Sequence, residues 1–321
     1  MTDFNKMAES LIAGDRRALS RAITLVESSR EDHRKSAISL ISLLEKKSEK
    51  QAIRIGLSGT PGVGKSTFIE VFGSYLTDFG LSVAVLAVDP SSVRSGGSIL
   101  GDKTRMTLLA RNPDAFIRPS PSQTHLGGVA RRTRETVKIC EAAGFDVILI
   151  ETVGVGQSET IVNTICDFFL LLMLAGAGDE LQGIKRGIME LAEMLVITKA
   201  DGDNLQKAKN AKQEYQMALH LFPASENGWT PKVSVCSALE NTGIKEIWET
   251  INTYNQQMIS NNYKDENRKK QDVYWLHHII KEELGNKKYN SLILEGKLDK
   301  LEIKLNEGKT INQLLEELSI Y

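Results

Sequence analysis

Nine consecutive residues, Gly59-Thr60-Pro61-Gly62-Val63-Gly64-Lys65-Ser66-Thr67, have the types and spacing to hold a polyphosphate. They fit the pattern G-x-x-x-x-G-K-[ST]. The glycines let backbone N–H groups come close to the phosphates. A helix starting at the end of the run adds its own N–H groups and dipole. Lys65 would reach the β- and γ-phosphates, and the Ser66 hydroxyl would bind Mg2+. The flanks agree: residues 52–57 are apolar over a strand's length, and residues 66–79 follow a helical period.

Further chemistry stands at the ends of other apolar runs. Val88-Asp89-Pro90-Ser91-Ser92 places a carboxylate where it could bind Mg2+, directly or through water. Asp102, ahead of Lys103-Thr104-Arg105, is either a helix cap or another carboxylate facing the metal. Ile150-Glu151-Thr152-Val153-Gly154 has an acid after an apolar strand and a glycine three positions later. Nucleotide hydrolases place a metal-linked carboxylate and a γ-phosphate sensor in this way. The Gly154 N–H can make that contact because no Cβ intervenes. Loss of the γ-phosphate would then free residues 155–158, a switch of the order–disorder kind. Thr198-Lys199-Ala200-Asp201 resembles the Asn-Lys-x-Asp guanine-specificity motif of GTPases, with Thr in place of Asn. Asp201 would accept from guanine N1–H and the 2-amino group, a donor pattern that adenine lacks. Lys199 would lie along the base plane. Ser237-Ala238 resembles the element that supports the same base.

These residues need a frame. Apolar runs recur at 52–57, 81–88, 146–150, 168–174, 194–197 and 233–236, with helical stretches between most of them. The pattern predicts an α/β fold: a three-layer P-loop NTPase domain with a mostly parallel sheet, its ligand loops gathered at the carboxyl ends of the strands. Residues 1–50 read as a helical extension. Asp15 caps a helix with Leu19, Ile23 and Val26 on one face, and Ser29 or Glu31 opens another with Ile38, Ile41 and Leu44. Residues 261–271 are polar and read as a boundary. Three apolar stripes follow: Val273, Leu276, Ile280 and Leu284; Leu298, Leu301 and Leu305; Ile311, Leu314, Leu315 and Leu318. Segments this small need the core domain or a second chain to cover them. The expected division is therefore 1–50, 51–262 and 263–321. His277 and His278 are adjacent on a helix and point about 100° apart, which argues against a shared metal.

Composition bounds the partners. The chain has 321 residues, 41% hydrophobic and 25% charged, with net charge −1. That balance offers no electrostatic footprint for nucleic acid or a membrane surface. The longest apolar run, residues 168–175, is too short to span a bilayer, and the first residues do not begin a signal peptide. Cys140, Cys166 and Cys236 are widely spaced among apolar neighbours, which suggests buried thiols in a reducing cytoplasm.

The chain closely resembles the MeaB/ArgK-type GTPases, the methylmalonyl-CoA mutase-associated P-loop GTPases of the SIMIBI class. The likeness rests on residues 14–19, 59–67, 88–92, 101–105 and 151–159, and above all on residues 175–187, AGAGDELQGIKRG. Composition alone reads that last stretch as a loop leading into a helix. The resemblance implies a nucleotide-sensitive switch that contacts the mutase. It also implies a homodimer, for which the helical region 263–321, from about Val273 onward, is the expected dimerisation surface, and a role as chaperone of an adenosylcobalamin-dependent acyl-CoA mutase, gating cofactor loading and protecting the enzyme. The expected reaction is Mg2+-dependent hydrolysis of GTP to GDP and phosphate. Lys65 and Glu151 would act at the phosphates and metal; Ser66, Asp89, Asp102 and Glu151 are the metal candidates. Lys185 and Arg105 are candidates for neutralising charge at the β–γ bridge. No Gln directly follows Gly154 to orient water. Two alternatives are a protein kinase of a basic amino-acid transport system and a metallochaperone GTPase. The second would need Cys/His clusters, against which five scattered His and three isolated Cys argue.

Overall fold

The protein, seen in a computed structural model, is described at residues 4–88, 106–119, 126–152, 158–176, 186–223, 225–318 and 320. Its contacts group into two compact units. One comprises Ala52–Ala130 and Phe145–Lys264; the other comprises Met1–Gln51, Arg131–Gly144 and Asp265–Tyr321.

The chain opens with helices α1 (Phe4–Ile12), α2 (Arg16–Glu27) and α3 (Glu31–Lys47). Strand β1 (Ile53–Gly59), helix α4 (Lys65–Asp78), β2 (Val83–Val88), β3 (Ala115–Arg118) and α5 (Leu126–Ala142) come next. Then follow β4 (Val147–Thr152), α6 (Ser158–Asn163), β5 (Phe168–Met173), α7 (Arg186–Glu190), β6 (Met194–Ile197), α8 (Leu205–Leu219), β7 (Lys232–Val235) and α9 (Ile244–Ser260). The last helices are α10 (Tyr263–Leu294), α11 (Lys297–Asn306) and α12 (Ile311–Glu317). Gly285, at φ 73° and ψ 164°, breaks α10 into two segments.

The seven strands form one sheet in the order β3-β2-β4-β1-β5-β6-β7. Every pairing is parallel. The sequence explains this: Phe168-Phe169-Leu170-Leu171-Leu172-Met173 is buried at every position, as a strand covered on both faces must be. β3 is the strand that the apolar pattern does not single out. It is four residues long, pairs only with β2, and three of its side chains are half-buried. The acidic strand end also differs from expectation. Glu151 lies inside β4, opposite Leu57 of β1 and Ala87 of β2, and the strand runs on to Thr152. A carboxylate held in a ladder is fixed more firmly than one in a loop.

β1 lies between β4 and β5, so the chain changes sides at β1. In an open parallel sheet the ligand crevice forms outside the strand ends at such a point. α4 is pinned to the sheet by Phe68, Phe72 and Leu76, all 1% exposed or less, in one core with Ile55, Leu57 and Val85. The Phe68 and Phe72 rings stack at 5.3 Å.

In the helical unit, Asp15 caps α2 by accepting from the N–H groups of Arg17 and Ala18. Arg30, not Ser29 or Glu31, occupies the cap position of α3 and makes no side-chain cap. Residues 261–271, polar in sequence, are helical from Tyr263 onward, and Lys264 and Gln271 are buried. Much of the apolar stripes is covered within the chain: Leu276, Ile280, Leu298, Leu301, Ile311, Leu314 and Leu315 are each 5% exposed or less, while Val273, Leu284, Leu305 and Leu318 are half-buried. An ionic stripe on α5 holds this unit together. Arg34 of α3 makes paired 2.7 Å bonds to Glu135, which is 5% exposed. Arg131 reaches Glu283 at 2.5 Å, Arg268 reaches Glu141 at 3.2 Å, and Arg134–Asp272 and Lys138–Glu45 are further pairs. Among the described residues no helix is long and apolar enough to cross a membrane.

At the amino end of β6, Glu193 accepts the Phe169 N–H at 2.5 Å. Burial pushes its carboxyl up to about 8, and the Phe169 N–H only partly opposes this. The folded chain therefore binds more protons than the unfolded one between the ordinary carboxylate value and about 8. Stability from this group is full below that window and is lost as pH rises through it. Glu193→Gln keeps an acceptor and removes the charge. It should raise the melting temperature relative to wild type by about 2 °C or more at pH 8.5, and by less at pH 5. Scanning calorimetry at the two pH values checks this.

Candidate functional site

β1 delivers the chain to the phosphate loop and α4 takes it away. At Gly59 an added Cβ would lie 2.6 Å from the Leu172 carbonyl oxygen and 3.0 Å from Val63 Cγ1, so only glycine fits against β5. Gly62 and Gly64 hold φ of 85° and 98°, where side chains are strained, and an added Cβ at Gly62 would meet nothing within 4 Å. The loop is thus open on the side where the glycines bend it. The first-turn N–H groups of a helix have no acceptor within the helix, which leaves them available to an anion. Lys65 is buried, and its Nζ donates to the Gly59 carbonyl at 2.6 Å and stands 3.4 Å from that of Thr60. Ser66 is half-buried, Pro61 and Thr67 are exposed, and Val63 is fully buried.

The loop after β6 is tied directly to this phosphate loop. Thr198 Oγ1 donates toward the Val63 carbonyl at 2.7 Å, with the Met173 carbonyl at 3.2 Å. Lys199 Nζ donates to the Gly62 carbonyl at 2.8 Å. Thr198 therefore performs a fastening task with a hydroxyl. Lys199 pays for its orientation with φ 54°, a left-handed backbone that costs a non-glycine residue about 1 kcal/mol or more. Asn204 supports that bend by donating to the Lys199 carbonyl at 2.6 Å. The motif reading missed Asn204; its signal is an amide three residues beyond Asp201.

Asp201 accepts from Ser237 Oγ at 2.5 Å, and the Ala200 N–H donates to the Cys236 carbonyl at 3.0 Å. Ser237 in turn accepts the Glu240 N–H at 3.1 Å. The Ser237 hydroxyl thus orients the carboxylate, and half-buried Ala238 continues the same loop. Asp201 is half-buried, which keeps it open to a ligand edge while one face is fixed.

At the end of β4, Glu151 is 9% exposed, and the neighbouring Thr152 hydroxyl donates to Ser58 Oγ of β1 at 3.0 Å. β1 and β4 are therefore locked together next to the phosphate loop. The geometry brings together residues 59–67, Thr198 and Lys199. It pairs Asp201 with Ser237, and it sets Glu151 beside β1. Asp89, Asp102, Arg105, Gly154 and Lys185 lie outside the described residues. A hydroxyl and a carboxylate, Ser66 and Glu151, are hard oxygen donors of the kind that suits Mg2+, which asks for only one or two protein carboxylates.

Residues 19–292 match the family described as methylmalonyl Co-A mutase-associated GTPase MeaB. GTPase ArgK of Escherichia coli is 48% identical over 283 residues, which cover 87% of this chain and 85% of that one. The mitochondrial methylmalonic aciduria type A homolog of Mus musculus is 47% identical over 287 residues, covering 87% of this chain and 69% of that one. The crystal structure of an LAO/AO transport system kinase is similar at a TM-score of 0.75 and 37% identity, covering 98% of this chain and 96% of that one. With Thr198 and Lys199 tied to the phosphate loop on a parallel sheet, the chain belongs to the MeaB family of P-loop GTPases and is a GTP hydrolase.

Proposed function

We propose that this GTPase is a Mg2+-dependent switch acting on an adenosylcobalamin-dependent acyl-CoA mutase, gating cofactor loading and protecting the loaded enzyme. The observation that carries the switch reading is the direct fastening of the base loop to the phosphate loop through Thr198–Val63 and Lys199–Gly62. Binding of one nucleotide then sets both loops at once. The mutase as partner rests on family membership.

In this reading the Lys65 ammonium, with three donors, reaches the β- and γ-phosphate oxygens from its place beside the Gly59 carbonyl. It neutralises charge there as the phosphoryl group transfers. N–H groups of residues 62–67 surround the phosphates. Ser66 and Glu151, joined by Asp89 and Asp102, would hold Mg2+. The ion, when bound, would supply positive charge that offsets the negative charge of the phosphates. Gly154 reads the γ-phosphate, and Arg105 and Lys185 offer further positive charge. Asp201, oriented by Ser237, selects guanine, with Lys199 and Ala238 beside the base. Action in the reducing cytoplasm, with no nucleic-acid or membrane partner, completes the proposal. A homodimer would use the helices from Val273 onward, where Val273, Leu284, Leu305 and Leu318 are half-buried and Leu294 is 89% exposed.

The transport-kinase name carried by the structural relative gives a second reading, transfer of phosphate to a protein. Incubation with γ-labelled GTP and mutase separates the two. Free labelled phosphate alone supports the switch, and label on a partner protein supports the kinase.

Lys65→Ala should lower turnover by at least about 10²-fold while the fold persists, because it removes a cation from the transferring group. Steady-state phosphate release and circular dichroism, taken together, test it; near-normal hydrolysis would refute the assignment. Asp201→Asn should weaken GTP binding and favour xanthine nucleotides, since the amide can donate to the 2-oxo group. Competition titration with GTP, XTP and ATP reads this out, and equal affinity of wild type for ATP and GTP would contradict the role of Asp201.

A further inference from the structure

Helix α4 carries a second stripe besides its apolar one. Ser66, Glu70, Gly73 and Thr77 follow one another at steps of four, three and four, so they share a helix face. Three of the four seat the segment 106–112. Glu70 Oε1 accepts the Leu108 N–H at 2.7 Å and the Leu109 N–H at 3.3 Å. At Gly73 an added Cβ would lie 2.5 Å from Leu109 Cδ2, and Leu109 is only 1% exposed, so its side chain would have to shift within the core. Asn112 Nδ2 donates to Thr77 Oγ1 at 2.9 Å, while that hydroxyl donates to the Ser74 carbonyl. Met106, at the head of the seated segment, is also 1% exposed.

The stripe thus joins two things by one rigid rod. Its first residue is the metal-ligand candidate Ser66, next to Lys65. Its remaining residues fix the chain just after Arg105. A bare cap on the short helical turn Leu109–Arg111 would explain Glu70 alone. It would not explain why the next position of the stripe is reduced to glycine, with Leu109 pressed against it, or why Thr77 adds a third tie.

We infer that Glu70 is a positioning residue for GTP hydrolysis: with Gly73 it sets the separation between the phosphate-binding turn of α4 and the chain at Met106. This rests on the proposed Mg2+-dependent GTPase reading. Glu70 touches backbone, not nucleotide, and acts through the placement of segment 106–112.

The test uses the full chain and four variants: Glu70→Ala, Glu70→Gln, Gly73→Ala, and Gly73→Ala combined with Leu109→Ala. The kcat, the KM for GTP and the Mg2+ concentration for half-maximal hydrolysis are measured, together with the melting temperature. Glu70→Ala should lower kcat about tenfold and raise the Mg2+ requirement, with KM for GTP held within about threefold. Glu70→Gln keeps a carbonyl acceptor and should recover most of the rate. Gly73→Ala should resemble Glu70→Ala, and adding Leu109→Ala should restore at least about half of the lost rate by relieving the contact. Two results overturn the assignment. One is a Glu70→Ala enzyme with wild-type kcat and Mg2+ dependence, whatever its melting temperature. The other is a double variant no faster than Gly73→Ala. Wild-type turnover and its Mg2+ dependence, measured in the same assay, report separately on the underlying reading.

Discussion

A phosphate loop that turns its N–H groups toward an anion must turn carbonyls elsewhere, and those carbonyls need donors. In this protein the donors are the Lys65, Thr198 and Lys199 side chains, which meet Gly59, Val63 and Gly62. Each bond contributes about 1 kcal/mol net; at Gly59 and Val63, where the bonds are buried, a carbonyl left without a donor would cost more, while the Lys199–Gly62 bond is exposed. The need to satisfy the phosphate loop is thus what couples it to the strand-end loop bearing Asp201. The parallel register makes the coupling possible, because Gly59 of β1 stands opposite Leu172 of β5, and Met173 of β5 stands opposite Ile197 of β6. Strand ends brought level in this way leave the loops beyond them within side-chain reach.

Much of this was legible in the sequence because it is local. The phosphate loop is nine contiguous residues. Strand β5 is an unbroken apolar run, and Thr198-Lys199-Ala200-Asp201 is four residues at a strand end. What was not legible depends on partners distant in the chain. β3 has too few apolar residues to announce itself and exists through its pairing with β2. Asn204 and Glu70 look like ordinary surface residues of helical segments until their acceptors and donors are placed opposite them. Thr198 looked like a weakened Asn; in space its hydroxyl reaches the phosphate loop from the same position. The three terminal apolar stripes were visible, but not what covers them.

The helical unit shows the same limit in electrostatic form. Arg131, Arg134, Glu135, Lys138 and Glu141 of α5 recur at helical spacing, a pattern that sequence alone does not distinguish from a solvated face. They meet residues of α3 and α10 instead. Burial alone would raise the Glu135 carboxyl, but the Arg34 charge and its paired bonds, aided by Arg131 and Arg134, hold it below the ordinary range. Removing one partner of such a buried pair typically costs about 3–5 kcal/mol, whereas an apolar replacement of the whole set can be neutral. The stripe is therefore better understood as fixing which helices meet than as adding net stability.

The division of the chain has a consequence for the order of synthesis. Met1–Gln51 leave the ribosome before Asp265–Tyr321, yet the unit they belong to is completed only by that later segment. At about 5–20 residues per second, the amino-terminal helices wait tens of seconds or less for their carboxyl-terminal partners. During that interval the sheet unit, complete at Lys264, can close around its own core, while Leu19, Ile23 and Ile41 still lack part of their unit. A nascent chain stalled before Asp265 would carry a finished nucleotide fold and an unfinished helical one. The burden of shielding apolar surface from chaperones and proteases during translation then falls at the amino terminus.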